Sequence, residues 1–211
     1  EPELLTDSGY YNLKPKWSRD GRSVYFVKRD ADSYPAIRQL NISSKQTKIL
    51  FEGRFFDDNF SVSPDGRELL VAKTDTYKNF YDYKDIYAFE LASQKLQRVT
   101  VGQRAADPAV SPDGKILVYV KNEKGTRSLV GVPLSFEAGA QYFSPCFSPD
   151  GKRIAVAKHT TDGRQKIYLI DPNSGAESVM IHGDQSSTEA NPAFTPDGRY
   201  VLFDSDRTGI V

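Results

Sequence analysis

The string FSPDGKRIAV at residues 147 to 156 has four close copies elsewhere in the chain, WSRDGRSVYF, VSPDGRELLV, VSPDGKILVY and FTPDGRYVLF. The aspartates of the five copies, Asp20, Asp65, Asp113, Asp150 and Asp197, stand 45, 48, 37 and 47 residues apart. A chain that repeats one supersecondary unit at this period is confined to solenoids and propellers, because each unit buries its apolar faces only against its neighbours.

Each copy reads as a tight antiparallel turn. Pro64, Pro112, Pro149 and Pro196 set φ for the second turn position, the aspartate suits the third, and Gly66, Gly114, Gly151 and Gly198 take the positive φ that closes it. The first copy has Arg19 in place of proline and keeps Gly21. After the turn, apolar residues recur at spacing two: Val24 and Phe26, Leu69 and Val71, Ile116 and Val118, Ile154 and Val156, Val201 and Phe203. Pro15, Pro108, Pro145 and Pro192 mark where the preceding strand begins.

Between copies lie two more strand-like runs, 36 to 43 with 46 to 53, 85 to 92 with 95 to 102, and 166 to 172 with 176 to 183. Four short strands per period is the count of a propeller blade. The expected fold is all-β: a β-propeller of four-stranded antiparallel blades, about five of them, with blade motifs at 15–27, 60–72, 108–120, 145–157 and 192–204 of one domain, 1–211. The third interval is short, so 128 to 134 supplies a third strand and the outer strand is abbreviated. No segment sustains a 3.6 period, and helix is expected to be nearly absent.

Residues 1 to 9 read as an outermost strand, and the fifth motif supplies only two strands. Either five blades close, with residues 2 to 6 adding an outer strand to the last, or the chain is a portion of a six-to-eight-blade ring. Residue 1 is Glu and the only methionine is Met180, which points to a longer parent chain.

PCFSPDGKRIAV, PAVSPDGKILVY and NPAFTPDGRYVLFDSDRTG resemble the TolB-like β-propeller repeat, a relative of the WD repeat, over about 200 of the 211 positions. The resemblance implies the propeller fold. Its members include periplasmic interaction proteins of the Tol system, non-catalytic gating domains of prolyl-oligopeptidase-type peptidases, oligogalacturonate lyases, and propellers placed before outer-membrane domains. The function expected is a non-catalytic protein-interaction or scaffold propeller, periplasmic or secreted. The alternative is an accessory substrate-gating propeller of a peptidase or lyase whose catalytic residues lie outside this chain.

Other classes fit poorly. Lys and Arg number 28, as do Asp and Glu, so no net field attracts nucleic acid. No apolar run is long enough for a membrane helix, and direct membrane insertion is not expected. No GxSxG elbow occurs, and the two histidines, His159 and His182, sit at non-equivalent positions, so neither a catalytic residue, nor a metal, nor a cofactor is expected. Cys146 has no partner for an intrachain disulfide, reads as a small apolar filler, and leaves the compartment undecided.

The recurring Asp and Gly residues read as structural turns, since every copy has the same local task. What differs between copies is the better guide to recognition. TYKNFYDYK, 76 to 84, lengthens the connection between the second and third strands of its blade and groups Tyr77, Phe80, Tyr81 and Tyr83 with Lys78 and Lys84. These aromatics either cap the blade edge or contact a protein partner. Connections between blades add Tyr10, Tyr11, Arg104, Asp107, Gln141, Tyr142, Glu189 and Asn191, together with Phe55, Phe56, Asp57 and Asp58, which form a contact patch or lead into a buried strand.

Overall fold

The computed structural model describes residues 3–6, 11–29, 34–53, 59–77, 80–134, 137–180 and 187–207. Phe55, Phe56, Asp57, Asp58, Tyr10, Lys78 and His182 lie outside the described residues, as does the side chain of Tyr77. The described residues contain seventeen strands and no helix. Two compact units, residues 1–102 and 103–211, are taken in turn.

The first unit holds two four-stranded antiparallel sheets. One is β1 (Tyr11–Trp17), β2 (Ser23–Arg29), β3 (Ala36–Asn41) and β4 (Thr47–Glu52), paired in chain order. The other is β5 (Ser61–Val62), β6 (Glu68–Tyr77), β7 (Tyr81–Glu90) and β8 (Leu96–Arg98). Their shared core takes Tyr25, Val27 and Ile37 from the first sheet and Leu69, Val71, Tyr87 and Phe89 from the second. Successive side chains of a strand point to opposite faces, so each sheet carries two separate sets of side chains.

In the second unit β9 (Ala105–Val110), β10 (Leu117–Glu123) and β11 (Thr126–Val130) form the short third blade, and β12 (Gln141–Phe147), β13 (Ile154–His159), β14 (Gln165–Ile170) and β15 (Glu177–Val179) the fourth. A single parallel bridge, Arg127 to Gln141, joins these into one seven-stranded sheet. β16 (Glu189–Phe194) and β17 (Val201–Ser205) pair as a separate two-stranded sheet. Ile154 and Val156 face the third blade, whereas Ala155 and Ala157 face Phe194, Val201 and Phe203. Small residues on that face leave room for the two phenylalanines.

The five turns share one bonding scheme. The hydroxyls of Ser18, Ser63, Ser111, Ser148 and Thr195 donate to Asp20, Asp65, Asp113, Asp150 and Asp197 over 2.5 to 2.7 Å. Each aspartate also accepts the amide two residues on, at 3.0 to 3.1 Å. Each hydroxyl accepts the amide five residues on, at 2.9 to 3.1 Å, which starts the next strand. Hydroxyl and amide donors both favour the ionised carboxylate and hold all five aspartates below the usual 3.8.

Three expectations are corrected. Residues 3–6 form no strand; Glu3 instead pairs with Lys45, in the β3–β4 turn, at 3.0 Å. The third blade carries its third strand at Thr126–Val130, earlier than 128 to 134. Residues 76, 77 and 81–84 are strand and not loop: β6 and β7 pair at ten successive positions from Glu68↔Glu90 to Tyr77↔Tyr81. Thr74, Thr76, Tyr81 and Tyr83 are strand formers, and the Thr76 hydroxyl donates to its cross-strand partner Asp82 at 3.0 Å, so the hairpin lengthens instead of looping.

Candidate functional site

The β6–β7 hairpin changes character along its length. Odd-numbered residues of both strands share one face. At its base that face carries Leu69, Val71, Tyr87 and Phe89 into the core.

Above them lies a polar belt. The Tyr87 hydroxyl donates to Asp75 Oδ2 at 2.9 Å, and Lys73 Nζ stands 3.3 Å from the same oxygen and 5.2 Å from the Tyr87 ring centre. Burial, then the bond to Asp75, pushes the Tyr87 phenol up to about 12. The Tyr87 hydroxyl, the Thr76 amide and Lys73 hold Asp75 below its ordinary value. Asp85 is 0% exposed and accepts from Thr100 Oγ1 at 2.9 Å, the Gly102 amide at 2.7 Å and Arg98 Nη2.

Beyond the belt the hairpin ends in aromatic surface. Phe80 is 86% exposed and Tyr81 53%, while Tyr83 is half-buried. The Tyr81 and Tyr83 rings are parallel with centres 5.8 Å apart, and Phe80 meets Tyr81 edge-on at 5.9 Å. Phe80 therefore does not fold back as a cap. Strand pairing fixes the backbone under Tyr81 and Tyr83, which lowers the ordering cost of binding, and tyrosine adds a polar handle to apolar area.

The residues of the inter-blade connections in the second unit are occupied. Asp107, Ser144 and Asn191 each precede a proline, each has φ near +50°, and each sits at the bulge of its strand. Asp107 accepts from Arg127 Nη2 at 3.0 Å and from the Ser144 amide at 3.2 Å. Ser144 Oγ donates to Asn191 Oδ1 at 3.2 Å, and Asn191 Nδ2 to Asp204 at 2.7 Å. These bonds tie β9, β12 and β16 together and fix the strained bulges. Cys146 Sγ stands 3.1 Å from the Pro192 carbonyl, one more link between β12 and β16.

Sequence reading missed the buried ions of this end. Lys158 lies 2.7 Å from Glu137 and 2.6 Å from Glu177, with the rings of Tyr142 and Tyr168 each 5.1 Å from Nζ. Burial pulls the Lys158 ammonium down, but the two carboxylates and Tyr142 outweigh it and hold it above its ordinary value. The Tyr142 hydroxyl donates to Glu177 at 2.5 Å; burial and that carboxylate raise it. Lys166 binds the Ser187 carbonyl and hydroxyl, each at 2.9 Å, and the buried Glu189 at 3.4 Å. Asp85 and Lys166 occupy equivalent positions on the third strands of their blades with opposite charge, and each fastens the connection that follows its blade. A charged residue before the apolar runs DIYAF and KIYLI is the signal that was available.

Among the described residues no three His, Cys, Asp or Glu side chains converge as a metal set requires. His159 stands at the end of β13.

No family model matches the chain. The Tol-Pal system protein TolB of Francisella tularensis subsp. holarctica is 25% identical over 205 residues, which is 92% of this chain and 45% of that protein. The chain thus spans about half the length of the curated relatives it matches. TolB from Acinetobacter baumannii superimposes with a TM-score of 0.78 at 23% identity, over 95% of this chain and 50% of that one. A putative TolB from Agrobacterium tumefaciens gives 0.73 at 19%, over 94% and 77%. An oligogalacturonate lyase solved with manganese shares the fold at 0.64 and 13% identity, over 97% and 76%. In sequence and fold together, the chain resembles the TolB β-propellers.

Proposed function

We propose that this chain is a non-catalytic, protein-binding propeller of the bacterial envelope, periplasmic or secreted, and that the tip of the β6–β7 hairpin is its partner contact. One observation carries the reading: Phe80 and Tyr81 are exposed on a paired, lengthened hairpin whose lower half is locked into the core. Aromatic side chains on a rigid base are the residues that dominate protein interfaces. The relatives, proteins named for the Tol-Pal system, support a partner in the envelope. The likeness to lyase and peptidase propellers is one of fold alone, and no particular side chain favours the gating role.

The test is capture from a periplasmic extract of a bacterium that encodes the chain. Phe80→Ala with Tyr81→Ala should weaken capture of the bound protein by roughly tenfold or more. Undiminished capture by the double variant would remove the hairpin tip from the interface.

A further inference from the structure

The first unit holds a cleft of 340 Å³ between its two blades, at the end that carries the repeated turns. Its walls include Arg19, Asp20, Ser23, Tyr25, Gln39 and Asp65. The volume falls within the range of small-molecule sites.

Polarity sets this junction apart from its counterparts. At the positions of Ser23 and Tyr25 the third blade has Ile116 and Val118, and the fourth has Arg153 and Ala155. Gln39 pairs with Tyr25 across β2 and β3, whereas Leu169 pairs with Ala155. In the junctions of the second unit a proline ring lies against the next turn's glycine: Pro112 Cδ is 3.4 Å from a Cβ built on Gly151, and Pro149 Cδ is as far from one on Gly198. Here Arg19 takes the proline's place against Gly66, and its guanidinium donates to the Pro64 carbonyl.

Tyr25 is the unexplained member. It is 4% exposed, it lines the cleft, and its hydroxyl has no hydrogen-bond partner among the described residues. The hydroxyl opens into the cleft, where a ligand atom can take up its hydrogen bond. Gln39 Nε2 donates to Ser23 Oγ at 3.0 Å, which orients the amide on the facing strand.

The surrounding charges decide the class of ligand. Asp20 and Asp65 are each kept ionised by a serine hydroxyl and a backbone amide, so an anion is repelled. The Arg19 guanidinium stands in the same wall and opposes a cation. Carboxylates, guanidinium, amide and phenol hydroxyl together offer the cleft both hydrogen-bond donors and acceptors. We propose that this cleft binds a small uncharged polyhydroxylated molecule, a mono- or disaccharide, whose hydroxyl pairs with that of Tyr25.

The site can be read directly from backbone amide resonances of the isotope-labelled chain. Glucose, N-acetylglucosamine and maltose are titrated separately to about 50 mM, with inorganic phosphate and lysine as charged counterparts. At least one sugar should shift the amides of Ser23, Tyr25 and Gln39, more strongly than phosphate or lysine does. Tyr25→Phe removes a hydroxyl that no described group uses, so the melting temperature should hold while affinity for that sugar falls about threefold to tenfold. Gln39→Ala should lower affinity from the neighbouring strand of the same sheet and guards against a packing effect of the first variant. No shift with any sugar, a stronger response to phosphate or lysine, or equal sugar affinity in both variants and the parent would each overturn the proposal.

Discussion

The two ends of the blade β5 to β8 solve opposite problems. At one end, Ser63, Asp65 and Gly66 close a turn in which hydroxyl, carboxylate and amides satisfy one another, and the same set recurs in every copy. At the other, roughly 30 Å away along β6, the hairpin runs past its core into a polar belt and then into exposed aromatic rings, as no other copy does among the described residues. The repeated end is saturated by its own bonds and builds the blade. The variable end has surface to spare, and recognition is sought there.

Asp85→Ala should be the most damaging single change. It leaves Arg98, Thr100 and the Gly102 amide without their buried acceptor, at a cost of about 3–5 kcal/mol, measurable by urea unfolding. If it costs no more than a surface substitution, the belt does not anchor the hairpin.

Glycines of the repeated turns sharpen the comparison from the other side. Gly21→Ala meets open space and bears only the left-handed φ, about 1–2 kcal/mol. Gly66→Ala adds a 3.3 Å contact with Arg19 Cβ and should cost more. Equal losses would mean that the neighbouring turn gives way freely. Ser148→Ala, which removes the buried hydroxyl of one turn, is expected to lower stability by about 1 kcal/mol, or about 2–4 °C in Tm.

Acid should act on the repeated end as a set. The five turn aspartates have folded values below 3.8, so their contribution is fully present above that pH and is lost as pH falls through the depressed values. Calorimetric scans should therefore show Tm falling with pH below about 4, and less steeply in a variant with two of the five changed to asparagine. An unchanged slope would detach acid sensitivity from the turns. The smallest effect belongs to the tip: Phe80→Ala should leave stability within about 0.5 kcal/mol, because its ring is exposed.

The turns were legible because their chemistry is local: a hydroxyl, an aspartate and a glycine within four residues determine the bond pattern. Strand order followed from the repeat. Less legible was anything that depends on partners far along the chain. Ile116 and Val118 were grouped with Leu69 and Val71, but pairing puts Leu117, the partner of Val110, at the position of Leu69, the partner of Val62. Aromatic alternation at 76 to 84 looked like a loop because strand and connection share those residue types. Asp85, Lys158 and Lys166 find partners 13 to 23 residues away, and only the fold brings them together.

The sharpest contrast lies within one blade. A photo-reactive benzoylphenylalanine can replace Phe80 at the aromatic tip or Arg67 beside the repeated turn, both exposed, the one just before β7 and the other just before β6. Irradiation in a periplasmic extract should give a discrete protein adduct from position 80 and none from position 67. An adduct from 67 alone, or from neither, would contradict the assignment of recognition to the variable end.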